Sequence, residues 1–562
     1  MIGLLGKCFY SKSSDFESLY EWASYPARYK ILEAGEYTID KTLNIVGSEI
    51  LFEGLVTLNV TKQINAIKIG VNSLTEVCTL NEAIQRGSTK IKGSFVNIHN
   101  GDLLAIWNPQ DYSYSSFREY YRQGEFAVVG KVSSDMISLD GGIIDSYPNG
   151  SKVYKIETTN DIRMSGKIEI NYPKDNSSAG YSANSIGLLL SQLRRAVITG
   201  LSISASNAAY CVLAKKCFSL TGENVEFKQQ TDAPSTSLGL DYAFAVSNCQ
   251  HIRIDGRFSA ERHAVTHGGN AEPASIVNRF CHFSGEFLTT GKGSVGAADW
   301  HGNTEMCSFS GYAQGSIAGG FRNKFSGFLD SIPNVPDWPL LLGSECKGMD
   351  FDYSNVRITS AGNPRVSNRG VIDFGGNTLA LGVDTVNSGV LNLSGCMIDA
   401  PFAEQVITIR NRGSKSPYWL DLSNTIVQGA VKSQAVRVIP VEGNSPVTIN
   451  MTGFDLSAGM EIKTKADTNL IGLSLKTKVA AVLPKGQSSI SVPILFDIAY
   501  PDKPKTLSFV QVEQSGSSDL TLFLTCPESL MDGNRLTVRI HTVGTDLPED
   551  DILSVWMLEM GW

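Results

Sequence analysis

The chain has 562 residues, 42% of them hydrophobic, and a formal net charge of −8; it can bury a large core, but it carries no basic field for a nucleic-acid groove. Its apolar runs fall well short of the ~18 residues of a membrane span, and the start, Met1 to Tyr10, sets its one charge behind the apolar residues, the reverse of a signal peptide. Among 10 cysteines there is no CxxC and no Cys/His pair of zinc-finger spacing, so no metal and no cofactor is expected, and synthesis in a reducing cytoplasm is.

In chain order, residues 1–30 form an N-terminal segment with one amphipathic helix, Asp15 to Tyr25, ended by Pro26. Phe16, Leu19, Tyr20 and Ala23 share its apolar face. In residues 31–75 the alternation of Tyr37, Ile39, Leu43 and Ile45 has the period of strands. Residues 76–157 break that pattern and read as an inserted subdomain, with Trp107, Tyr112, Tyr114, Phe117, Tyr120 and Tyr121 as its aromatic core or, alternatively, a platform for carbohydrate.

Residues 158–478 repeat one phrase: apolar, any residue, apolar, Ser/Thr/Asp, then Gly or Asn. It closes at Gly166, Gly200, Gly222, Gly256, Gly285, Gly311, Asn355, Gly395, Asn424 and Gly453, about every 30 residues. Both apolar residues lie on one strand face, and the closing Gly or Asn suits a corner at positive φ. A strand and corner recurring at this interval is a solenoid whose rungs bury their inward faces only by stacking. The fold class is therefore all-β, a parallel β-helix, with the first helix capping its open end. Cys281 and Cys307 fill the first apolar slot of their phrases and are expected to be inward thiols on neighbouring rungs. Residues 479–562 alternate as strands between turn signals and read as a C-terminal β-sandwich.

The opening Ala34 to Ile39, the rungs, and the inserted segments Gly101 to Leu103, Phe117 to Glu125 and Leu139 to Asp140 resemble bacteriophage tailspikes with a pectate-lyase-like β-helix. The resemblance covers most of the chain. It implies a right-handed β-helix, a homotrimer aided by the C-terminal domain, and a place on the virion tail after release from the host by lysis. It implies binding and internal cleavage of capsule, exopolysaccharide or O-antigen. With no large domain ahead of the helix, attachment to the tail or to another spike is expected through the first residues.

Five of the 7 histidines fall between residues 251 and 301: His251, His263, His267, His282 and His301. Aligning rungs on Gly256, Gly285 and Gly311 stacks Tyr242–Val246, His263–His267 and Val295–Asp299 on one sheet. Strands ~4.8 Å apart then bring His267 to Asp299 or His301. Arg262 to Gly269, followed by Asp299 and His301, also resembles a motif of phage tail β-helix proteins.

Glycoside hydrolysis needs two carboxyls about 5–5.5 or ~6.5–9.5 Å apart. The catalytic candidates are Asp299 with Glu305 or Glu261, assisted by His267 and His301; Arg262, His263, Trp300, Tyr242, Asp241 and Glu345 are candidates for substrate binding, in a groove along residues 241–347. The rival chemistry is β-elimination from a uronic acid, with His267 or His301 as base, Arg262 neutralising the carboxylate and Tyr242 as acid. The hydrolytic tailspikes that the chain resembles favour hydrolysis. An adhesin that binds glycan without cutting is the rival from another class. Each site residue also has a plain structural alternative: a cross-rung hydrogen bond for His and Asp, subunit packing for Trp300.

Overall fold

The structure, a computed structural model, describes residues 7–10, 16–111, 121–174, 183–232, 240–291, 296–301, 303–343, 349–364, 369–374, 389–409, 418–439, 447–457, 460–464 and 468–472, and backbone strands within 474–561. Chain contacts divide it into two units: Met1–Pro336 with Leu340–Asp352 and Gly376–Asn387, and Asp337–Pro339 with Tyr353–Gly375 and Ser388–Trp562.

In the first unit each rung is a long strand, a short link and a short strand. Long strands such as Leu193–Ser206, Phe218–Gln230, Gln250–Ala260 and Asn278–Thr289 pair in parallel. Short strands Tyr210–Lys215, Tyr242–Ser247, His263–Gly268 and Ala298–Asp299 stack as a second parallel sheet. The inward positions form an aromatic file in which Phe258 and Phe287 stack at 5.5 Å and 5°, with Phe244, Phe283 and Phe309 beside them. Each such ring contributes about 1.5–3 kcal/mol by leaving water.

The repeated phrase has two structural outcomes. In the first unit its glycine is not the end of a strand but a bend inside one: Gly256, Gly285, Gly311 and Gly327 stand in register. Gly285 has φ +118°, and a Cβ there would sit 1.9 Å from the Gly256 carbonyl oxygen, so no other residue fits. The sharp corners of these rungs fall elsewhere, on non-glycine residues at positive φ such as Lys216, Asn248, Phe280 and Met306, each just before a buried cysteine. In the second unit the phrase does end its strand in a turn, with φ of 59° at Asn355, 69° at Gly395, 54° at Asn424 and 68° at Gly453. There the strands are shorter and build three parallel stacks, through Met397–Ala400, Tyr418–Asp421 and Gln405–Ile409.

The first helix is shorter than its pattern suggests, Leu19–Ser24 behind the N-cap Ser18, and it buries Leu19, Trp22 and Ala23. Tyr20 instead donates its hydroxyl to Asp40 at 2.8 Å. The inserted strands run from Leu74–Thr79 to Lys152–Ile156 as a six-stranded antiparallel sheet. Leu104, Ile106 and Val153 enter its own core, whereas Trp107, Phe126 and Tyr154 pack on Ala274 and Ile276 of the β-helix. Alternation thus sends Trp107 to the junction and not to the insertion's own core; Tyr112, Tyr114, Phe117 and Tyr120 lie outside the described residues. From Ser474 onward the strands form two antiparallel sheets, one on Ile552–Gly561 and one on Arg535–Thr542.

Candidate functional site

The short-strand sheet presents a column of outward side chains. Register places Tyr210, Tyr242 and His263 on successive rungs, and Ala245, Thr266 and Asp299 on another file. The Tyr210 and Tyr242 rings meet edge-on at 5.4 Å, and the Tyr242 ring stacks on His263 at 5.4 Å. Above them opens a cavity of about 340 Å³ lined by Tyr121, Tyr210, Lys215, Tyr242, Thr266 and His301 among others. Tyr121 comes from the insertion, which thereby supplies one wall. A larger hollow of about 620 Å³ over Tyr29, Ile31, Leu51 and Val197 holds no comparable acid–base cluster.

Asp299 is the centre of the polar network. Thr266 Oγ1 donates to its Oδ2 at 2.5 Å, and His301 Nδ1 lies 3.2 Å from Oδ1 and 3.0 Å from Oδ2. His263 Nε2 stands 3.7 Å from Oδ2, while its Nδ1 is 2.6 Å from the Gly296 carbonyl. Burial alone would raise the Asp299 carboxyl, but His301, then His263 and the Thr266 hydroxyl, hold it below the usual carboxylate range. It is a buried anion. His263 is pushed down to about 3 by burial, against the pull of Asp299, and is neutral at pH 7. Burial, then the nearby Tyr242, pushes the Tyr210 phenol up, so it keeps its proton. Arg262, half-buried, donates from Nη1 to the Tyr242 hydroxyl at 3.1 Å.

The register corrects the expected stacking by one residue. Thr266, not His267, lies opposite Asp299, and a one-residue shift moves every side chain to the other face. His267 accordingly enters the core against Phe283 and Phe309, and only its Nδ1 reaches Asp299, at the main-chain carbonyl, 3.0 Å away. Trp300 turns inward too, its ring 4.8 Å from Phe309, so it has no face for a sugar. Glu305 is bound by Arg279 Nε at 2.7 Å and is a structural partner of that buried cation. Glu261 is buried and accepts from Thr290 Oγ1. Asp241 is buried and accepts from Gln229 Nε2 at 3.1 Å. Glu345 lies outside the described residues. His251 stacks on Phe280 at 4.9 Å, and His282 Nδ1 meets Ser308 Oγ at 2.8 Å, both away from the cavity.

Asp299, His301, His263, Tyr242 and Arg262 are thus brought together. Sequence reasoning missed Tyr210, Lys215 and Thr266. Tyr210 was within reach, one rung before Tyr242 in the same alignment. Tyr121, expected first in the insertion's own core, lines the cavity because the insertion docks there.

The fold, a right-handed parallel β-helix with an all-β insertion, is similar to that of phage tailspikes. Residues 206–371 match the family model described as Gp49, pectin lyase-like, and residues 71–156 match the tailspike protein-like, Ig-like domain. No curated protein sequence matches the chain. Among solved structures, the tailspike protein gp49 from Pseudomonas phage LKA1 superposes with TM-score 0.73 at 19% identity, covering 95% of this chain and 90% of that one. The Pseudomonas phage phi297 tailspike gp61 gives 0.70 at 16%, covering 95% and 90%. The Gp54 tailspike of Acinetobacter baumannii bacteriophage AP22, solved with A. baumannii capsular saccharide, gives 0.68 at 16%, covering 95% and 91%.

Proposed function

We propose that this chain is a phage tail depolymerase that cuts a bacterial surface polysaccharide inside the cavity between Tyr242 and His301, by β-elimination at a uronic acid. One observation carries the choice of chemistry: the cavity is lined by His301 on Asp299 and by Tyr121, Tyr210 and Tyr242, while Glu261 and Glu305, the partners hydrolysis would need, are committed to Thr290 and Arg279. A His held by a buried carboxylate is a general base in waiting. His301 takes the C5 proton, the C4–O bond breaks as the C4–C5 double bond forms, and Tyr242 returns a proton to the leaving oxygen. Arg262 beside Tyr242 neutralises the uronate, which makes the C5 proton acidic enough to remove.

The capsular saccharide bound by the AP22 spike supports the substrate class. The hydrolytic reading keeps Asp299 as one carboxylate and predicts a different product. Purified capsules, exopolysaccharides and O-antigens incubated with the protein separate the readings. Fragments with the mass of whole in-chain repeats, one water lighter than hydrolysis products, mean elimination; fragments carrying an added water mean hydrolysis and overturn this mechanism. Binding without fragments means an adhesin. The working assembly is a homotrimer, and sedimentation showing a monomer at working concentration sinks that part.

A further inference from the structure

The β-helix interior holds a second constellation that the cavity chemistry does not use. The Sγ atoms of Cys281 and Cys307 and a ring nitrogen of His267 all lie within 4.8 Å of one another, and the three residues are fully buried. They come from different rungs and from both parallel sheets, so no sequence spacing announces them. His267 Nδ1 is engaged at the Asp299 carbonyl, 3.0 Å away, which fixes the proton on that nitrogen. Its Nε2, buried, has no hydrogen-bond partner. The thiols make long contacts to main-chain carbonyls, Cys281 Sγ to those of Arg279 at 3.5 Å and Cys249 at 3.8 Å, Cys307 Sγ to those of Glu305 at 3.4 Å and Asn278 at 3.5 Å, and they face each other, with Cys307 also facing His267.

We propose that Cys281, Cys307 and His267 form a structural site for a thiophilic divalent cation, Zn²⁺, inside the β-helix. Two sulfurs and one imidazole are the donor set that zinc selects over hard cations. Zinc at about 2.3 Å from sulfur and 2.0 Å from nitrogen sets donors roughly 3.5–3.8 Å apart, a contraction of at most about 1.3 Å from separations that all lie within 4.8 Å. Binding displaces the two thiol protons, and two thiolates with Zn²⁺ and a neutral imidazole carry no net charge, the one state a water-free core accepts at small cost. No fourth His, Cys, Asp or Glu joins the three among the described residues; a main-chain carbonyl beside the sulfurs completes the set. The ion would also hold His267, and through its Nδ1–H the Asp299 main chain, directly beneath the cavity.

The test uses untagged full-length protein, made in zinc-supplemented medium, and a second sample unfolded in denaturant and refolded with or without ZnCl₂. Elemental analysis after dialysis against a chelator should find about one zinc per chain, and refolding with Co²⁺ should give thiolate-to-cobalt absorbance. Cys281→Ala and Cys307→Ala should each lose most of the metal, and the folded double variant all of it. Wild-type protein free of metal under both regimes overturns the proposal without recourse to any variant. So does zinc retained by a folded double variant, or a Cys281–Cys307 disulfide found by mass spectrometry in metal-free protein. None of these outcomes depends on the polysaccharide.

Discussion

His301 Nδ1 lies 3.0 Å from Asp299 Oδ2, and the pair puts a nearly buried imidazole at a cavity wall with a fully buried carboxylate behind it. The carboxylate fixes the tautomer: with Nδ1–H directed to Asp299, Nε2 is left as the basic atom. His301→Gln should therefore lower turnover by about 10²–10⁴-fold while leaving glycan binding within a few-fold. Product formation and equilibrium binding, measured on the same polysaccharide, check the split; an unchanged rate removes His301 from the mechanism.

Asp299→Asn probes the same pair from behind. It leaves the shape intact but no longer holds the His301 proton on Nδ1, so turnover should fall with that of His301→Gln. The double variant should then be no slower than the worse single one, because the two residues act as a unit. Multiplicative losses would mean independent roles.

Acid should destabilise the fold before it protonates exposed carboxylates. His263 is neutral in the folded protein, lowered to about 3 by burial, and takes up a proton near pH 6.5 once unfolded. Its folded pKa is depressed, so its contribution is fully present above about 6.5 and is lost as pH falls towards 3. The slope for one proton is about 1.4 kcal/mol per pH unit. Asp299, Arg262 and His301 face the same ring and shape the lower end of that window. Denaturant unfolding between pH 7 and 4 reads the slope, and His263→Gln should flatten it by about one proton.

Arg279 ties the insertion to the β-helix. It is fully buried, with Nη2 2.5 Å from Asp145 of the insertion and Nε 2.7 Å from Glu305. Arg279→Met strands Asp145, leaves Glu305 only its longer contact to Arg322 at 3.8 Å, and should cost about 3–5 kcal/mol. Limited proteolysis should then cut first near residues 71–156, and activity should fall as Tyr121 loses its seat. A variant with wild-type melting and proteolysis would show that apolar packing at Trp107 and Phe126 suffices.

Gly285→Ala tests the bend inside the long strands. At φ +118° with a neighbouring carbonyl 1.9 Å from the new Cβ, the substitution must displace main chain. A loss of roughly 1–3 kcal/mol or more is expected from the strained backbone alone, read as a lower melting temperature. Gly200→Ala, with open space around it, should cost less.

The repeated phrase determined by itself that rungs stack and which residues of the long strands face inward, because hydrophobic alternation and glycine placement are local chemistry. Cys281, Cys307 and the register of Gly256 on Gly285 on Gly311 were legible for that reason. The histidine cluster likewise marked the part of the chain where the cavity lies. What tertiary structure decided was the face. The rungs differ in length between Gly256 and Gly311, so glycine register in the long strands does not carry over to the short ones, and a slip of one residue sent His267 and Trp300 inward. Pairing was equally out of reach: Glu305 looks like any carboxylate until Arg279 is seen beside it, and Tyr121 joins the cavity only because a folded insertion docks there. Periodicity fixes direction along a strand, but the partner of a charged group is set by which distant segment packs against it.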